Sequence, residues 1–196
     1  METRNKIAKI REKLDLYWKP YITQDLLQKL LDKFAANYII TNLSNLWLIT
    51  PIKRGKVYIN NKYSAFVNPF VIGDMYMWDD LYMFWWLWVY NRYGLTEQIA
   101  EWQTIYNTKI SWKKVIWNSK FILIRQRESF FYWLKEEKFE EYSYKIMTPE
   151  RAFIQMTKEW KEFADIPYWV NKEKLLKLAK KYSSQTIVSK IEKLCS

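Results

Sequence analysis

Two clusters of side chains in the first third of the chain are suited to chemistry, and that chemistry is recognition rather than bond-making. Asn37, Tyr38, Thr41, Asn42 and Asn45 fall on one face of a stretch with helical periodicity. Their short amide and hydroxyl groups are donors and acceptors of the kind that read the edges of bases. Lys53, Arg54 and Lys56 follow around Gly55, and a cationic tip of this sort attracts phosphates without regard to sequence.

Catalytic alternatives find little support. The chain has no histidine, which removes Ser-His-Asp and Cys-His nucleophilic machinery, HExxH zinc sites and every histidine-ligated metal. Neither a GxxxxGK[ST] loop nor a GxGxxG loop occurs, even if each Trp is read as Gly. The neighbours Asp79-Asp80 and Glu136-Glu137 do not face each other on a helix, and they read as solvated charges. No catalytic residue, cofactor or metal is expected, and the chain reads as non-enzymatic.

The elements that must position the two clusters follow from periodicity. Ile7, Ile10, Leu14 and Tyr17 give an amphipathic helix that Trp18-Lys19-Pro20 ends. Thr23 is placed to cap a second helix with Leu26, Leu27, Leu30 and Leu31 on its inner face. A turn at Phe34-Ala35-Ala36-Asn37 leads to a third helix, with Ile39, Ile40, Leu43 and Leu46 inward. Ile49, Ile52, Val57 and Ile59 then bracket Lys53-Arg54-Gly55-Lys56 as a β-hairpin. Three short helices followed by a basic hairpin predict a winged helix-turn-helix over residues 1–62, its third helix in the major groove and its wing on the backbone.

Residues 63–196 read as a second domain of mixed α/β type, so that the fold class is α+β. Asn60-Asn61, Asn68-Pro69 and Gly73-Asp74 mark a transition, and Met75–Tyr93 reads as an aromatic helix. Alternation at Thr104, Tyr106 and Thr108, a hairpin centred on Trp117-Asn118, and Phe139 to Lys145 predict a small sheet. Thr148-Pro149-Glu150 predicts a helix capped at Thr148, and two more helices near 172–182 and 185–194 close the chain.

Composition bounds the rest. The 196 residues are 49% apolar, enough for a core, and 32 Lys+Arg against 21 Asp+Glu give a net charge of +11 that favours polyanionic partners. The single cysteine, Cys195, rules out an intramolecular disulfide and fits a cytoplasmic location. Met1 to Tyr17 lacks the apolar region of a signal peptide, and the longest apolar run, Leu81 to Tyr90, is too short to span a bilayer, so no membrane partner is expected.

The ratio of 12 Trp to 3 Gly is inverted, since glycine ordinarily makes up about 7% of a protein. Trp47 follows an apolar helix where a C-terminal glycine is favoured, Trp117 precedes Asn118 in a hairpin turn, and Trp169 sits in a turn before Asn171. Reading Trp85, Trp86 and Trp88 as glycine gives a close-packed helix start. These positions predict a gene in which the codon UGA means glycine. The alternative is an aromatic-rich module that stacks bases or sugars on genuine tryptophans.

Three stretches together resemble the AbiEi-like antitoxins of bacterial type IV toxin–antitoxin systems. The likeness runs from about residue 20 to residue 182. It is carried by Leu46-Trp47-Leu48-Ile49 with Lys53-Arg54-Gly55-Lys56-Val57-Tyr58, by Tyr93-Gly94-Leu95-Thr96-Glu97-Gln98-Ile99, and by Ile146-Met147-Thr148-Pro149-Glu150-Arg151-Ala152. Trp47, Trp117 and Trp133 fall where the family has glycine. The chain departs from the pattern at Tyr93, where histidine is common, and at Gln155, where an acidic residue is frequent. The resemblance implies a phage-defence antitoxin whose winged helix represses its own promoter through inverted repeats, with two copies of the reading head on the DNA. It also implies a C-terminal domain that counteracts a nucleotidyltransferase-fold toxin, with or without direct binding. A stand-alone transcriptional regulator of the same architecture is the alternative within this class.

Overall fold

A computed structural model describes residues 2–30, 36–85, 87–159, 163 and 165–195. Among these the fold is mixed α+β, and the chain divides into two compact units, 1–79 with 115–119, and 80–114 with 120–196.

The first unit runs α1 (Glu2–Leu16), β1 (Tyr21–Thr23), α2 (Gln24–Leu30), α3 (Ala36–Asn45), β2 (Ile49–Lys53) and β3 (Val57–Asn60). Ile10, Leu14, Ile22, Leu27, Ile39, Ile40, Leu43, Ile49 and Tyr58 form one buried cluster, so each helix contributes an apolar face to the same core. Leu46, expected inward, lies past the end of α3 and is 54% exposed, because the chain has already begun its reversal there, and Leu31 lies outside the described residues. Thr23 caps α2 as expected, its Oγ1 accepting from the Leu26 N–H at 3.3 Å. The strand β1 has no counterpart in the sequence pattern. It is three residues long, too short for an alternation signal, yet it pairs antiparallel with β3 (Tyr21↔Ile59, Thr23↔Val57) and gives the sheet the order β1-β3-β2. Ala36 and Asn37 belong to the first turn of α3 rather than to the preceding turn, while Phe34 and Ala35 lie outside the described residues.

The segment expected to be a transition is ordered. A 3-10 turn over Asn61–Phe66 is capped by Asn60, and α4 (Pro69–Met77) starts at Asn68, whose Oδ1 accepts from the Phe70 N–H at 2.8 Å with Pro69 in the first turn. Phe70, Val71, Ile72, Gly73 and Met77 are buried on α4.

Apart from residues 115–119 of the β6–β7 hairpin, the second unit is built on a six-stranded sheet of order β6-β7-β5-β4-β9-β8. Its strands are β4 (Tyr82–Trp85), β5 (Gln103–Asn107), β6 (Trp112–Ile116), β7 (Ser119–Arg125), β8 (Leu134–Phe139) and β9 (Tyr142–Met147). The expectation of one helix over 75–93 fails here. Tyr82, Met83, Phe84 and Trp85 form β4, between antiparallel β5 (Tyr82↔Asn107, Trp85↔Thr104) and parallel β9 (Phe84↔Ile146), before α5 (Leu87–Arg92) begins. A strand buried on both faces shows an unbroken apolar run, which periodicity cannot tell from a helix. The Phe139–Lys145 stretch is likewise two strands: a turn at Glu140-Glu141 separates β8 from β9.

Three helices complete the unit: α6 (Pro149–Glu159), α7 (Lys172–Tyr182) and α8 (Gln185–Cys195). Asn171 caps α7 through its Oδ1 and the Lys174 N–H at 2.9 Å. Thr148 precedes α6 as expected, but its hydroxyl makes no capping bond: the buried Oγ1 has no partner, and the Thr148 carbonyl accepts from the Ala152 N–H at 3.0 Å.

Asn60 is the polar joint of the first unit. It is 1% exposed, and its Nδ2 donates to the carbonyls of Leu14 and Tyr17, each at 3.1 Å, which ties the end of α1 to the end of β3. Asn60→Ala removes one buried and one part-buried hydrogen bond and should lower stability by about 1–3 kcal/mol, read from the midpoint of urea unfolding.

Candidate nucleic-acid interface

The inner face of α3 is fixed by Ile39, Ile40 and Leu43 in the core, so its other face is determined. Tyr38 is 64% exposed, Thr41 and Asn45 are exposed, and Asn42 is half-buried. Asn37 lies in the first turn of α3, and its side chain is outside the described residues. The helix ends in a reversal in which the Leu48 N–H donates to the Leu43 carbonyl at 2.9 Å, and the chain enters β2 at once. The polar face of α3 and the hairpin β2–β3 thus belong to one unit with no linker between them.

The hairpin tip is braced from below. The Lys56 N–H donates to the Lys53 carbonyl at 3.0 Å, and Gly55 sits between them at φ 71°, where no Cβ is tolerated without strain. Tyr58 accepts from the Gly55 N–H at 3.3 Å and donates to Gln24 Oε1 at 2.8 Å, while the Gln24 N–H donates to the Lys56 carbonyl at 2.7 Å. The start of α2 therefore holds the tip in place.

The three cations of the tip differ in their surroundings. Arg54 is exposed and makes no hydrogen bond or ion pair among the described residues. Lys53 is half-buried, and its Nζ donates to the Met77 carbonyl at the end of α4 at 3.3 Å. Lys56 is exposed and lies over the ring of Trp78 at 5.8 Å. The two engagements with the end of α4 have no signal in the sequence, because they depend on tertiary packing of a helix that the sequence pattern does not separate from its surroundings.

No family model matches the chain, and no curated protein matches it.

The second unit holds a polar group of a different kind. Arg151 is 2% exposed on α6, with its guanidinium 4.0 Å from the Tyr132 ring centre, 4.9 Å from that of Phe130 and 5.2 Å from that of Trp85. It donates to the carbonyls of Tyr132 and, at 2.6 Å, Phe130, and burial pulls its pKa down to about 10. Nearby, the Tyr90 hydroxyl donates to Glu159 Oε2 at 3.0 Å and Gln155 Nε2 donates to Glu159 Oε1 at 2.8 Å. Tyr93 donates to the Met147 carbonyl at 2.9 Å. At Tyr93 and Gln155 alike, the side chain has a hydrogen bond within the fold. Sequence spacing gives no reason to single out Arg151, which sits between Glu150 and Ala152, both also buried.

Burial, reinforced by Glu159 for Tyr90 and by Glu137 for Tyr93, raises these phenol pKa values, and burial raises those of Tyr106, Tyr132 and Tyr144 in the same direction. A group whose folded pKa is raised above its unfolded value contributes stability below the unfolded value, here 10.0, and loses it as pH rises further. Arg151 and Lys158, both lowered, act in the opposite sense. With the raised tyrosines in the majority, the urea midpoint should fall as pH goes from about 9 to 11, and Tyr90→Phe should make that fall shallower.

Proposed function

We propose that the chain is a non-enzymatic DNA-binding autorepressor and the antitoxin of a type IV toxin–antitoxin pair. The observation that carries the DNA-binding part is a solvent-facing polar helix surface followed without a linker by a braced hairpin with three cations at its tip. The connectivity supports it as well. The order helix, strand, helix, helix, strand, strand, with the first strand against the last, is what a winged helix requires.

The physical division of labour follows from residue type. Tyr38, Thr41 and Asn42, with Asn37 at the start of the helix, offer hydrogen-bonding groups to base edges, which discriminate sequence. Lys53, Arg54 and Lys56 offer charge to phosphates, which fixes position and adds affinity on any sequence. The chain's net charge of +11 supports an encounter with duplex DNA steered over long range. An operator of inverted repeats takes two copies of this head, so dimerisation on DNA belongs to the proposal.

The antitoxin assignment rests on the three motifs quoted above and carries with it a nucleotidyltransferase-fold toxin encoded alongside and a cytoplasmic setting. No helix among the described residues is long and apolar enough to cross a membrane.

Lys53, Arg54 and Lys56 changed together to Ala should weaken binding to every duplex and reduce the slope of log K against log salt by about 1 for each phosphate no longer neutralised. Asn42→Ala should instead weaken binding to the operator selectively, by about 1–3 kcal/mol for a base edge no longer read. Fluorescence anisotropy with promoter and random duplexes separates the two. Equal weakening on both duplexes for Asn42→Ala would remove α3 from the sequence-reading role.

A further inference from the structure

Among the described residues, five that are not glycine adopt left-handed φ, and four of them are tryptophan: Trp47 (56°), Trp78 (50°), Trp117 (55°) and Trp133 (50°), with Glu140 (53°) as the fifth. Twelve tryptophans in 196 residues would place fewer than one among five positions by chance. Tryptophan is bulky and has no side-chain group to compensate the backbone locally, as Asn and Asp do.

Three of the four sit in a motif that calls for glycine, and Trp133 is a bend directly before β8. At the end of α3 the Trp47 N–H donates to the Ser44 carbonyl at 3.0 Å and the Leu48 N–H to the Leu43 carbonyl at 2.9 Å. At the end of α5 the same pattern recurs, with the Gly94 N–H on the Asn91 carbonyl and the Leu95 N–H on the Tyr90 carbonyl, both at 2.8 Å, and there the residue is Gly94 at φ 63°. These are two copies of one helix ending, one with glycine and one with tryptophan. Trp117 is the first residue of the two-residue turn between β6 and β7 and has positive φ where Asn118 does not, the turn type that takes glycine first. Trp78 ends α4 at φ 50° and ψ −125°, outside even the small left-handed region open to other residues. Trp47 is exposed and the other three are half-buried, so none gains the full burial that would offset the backbone cost.

We propose that residues 47, 78, 117 and 133 are glycine in the protein as its source cell makes it, the codon UGA being read there as glycine, and that glycine at 78 releases Lys56 to the DNA backbone. The second half rests on the DNA-binding reading. With tryptophan at 78, the ring 5.8 Å from Lys56 Nζ competes with phosphate for that cation. Glycine has no ring, and the tip then presents Arg54 and Lys56 unencumbered.

The test compares full-length chains carrying Trp→Gly or Trp→Ala at these four positions, with Trp112→Gly, on an exposed strand without left-handed φ, as the control. Each Gly variant should raise the folding equilibrium constant by roughly tenfold over its Ala counterpart, measured by urea unfolding, and Trp112→Gly should give no gain. Gly variants no more stable than Ala variants would overturn the glycine assignment. Trp78→Gly should also bind a random duplex more tightly, with a log–log salt slope steeper by about one charge. A stability gain with unchanged duplex binding would overturn the release of Lys56 and leave the glycine assignment standing. Failure of both chains to bind any duplex would overturn the DNA reading on which Lys56 depends.

Discussion

Left-handed backbone at the ends of helices and in tight turns is the constraint on which the architecture hangs. One residue at positive φ after α3 turns the chain directly into β2, another stops α4, a third closes the β6–β7 hairpin, and a fourth precedes β8. A residue with a Cβ in that conformation costs about 1–2 kcal/mol. Four such residues would take on the order of 4–8 kcal/mol, comparable to the about 5–15 kcal/mol that separates folded from unfolded in an ordinary domain. A chain with glycine at those positions escapes the penalty. The same geometry bears on the proposed recognition of DNA: the tight exit from α3 leaves no slack between the polar helix face and the cationic hairpin.

The core of the first unit transmits that order to the tip. Leu43 and Ile49, on either side of the Trp47 reversal, are 0% and 1% exposed, so the reversal is pinned at both ends. Tyr58 belongs to the same buried cluster, yet its hydroxyl reaches Gly55 and Gln24, which couples the packing of α1, α2 and α3 to the conformation of the hairpin tip. The DNA reading proposed for these polar groups requires positions held to within a fraction of an ångström, and apolar burial beneath them supplies that holding.

Much of this is legible in the sequence because it depends on local signals. The stripes of α1 to α3, the Thr23 cap, the glycine at the first hairpin tip and the Trp117-Asn118 turn are all short-range patterns with a single physical cause. The strand β4 is not legible, since burial on both faces erases alternation, and β1 is too short to show any. The buried Arg151, the anchoring of Lys53 at the end of α4 and the left-handed conformation of Trp78 are products of tertiary packing, which no local pattern encodes. The cap expected from Thr148 does not form, although the helix starts at Pro149: the fixed φ of proline and the buried face of α6 suffice to begin it.

The identity of residue 117 in the protein made by its own cells tests most directly whether these turns carry glycine. Trypsin cuts after Lys114 and Lys120, releasing Val115–Lys120 as a short peptide whose mass is set by that residue. The expected peptide has the mass of glycine at 117, and likewise at 47, 78 and 133 in theirs. A peptide with the mass of tryptophan there would contradict the glycine assignment and would return the exposed aromatic side chains to the protein's surface as genuine features.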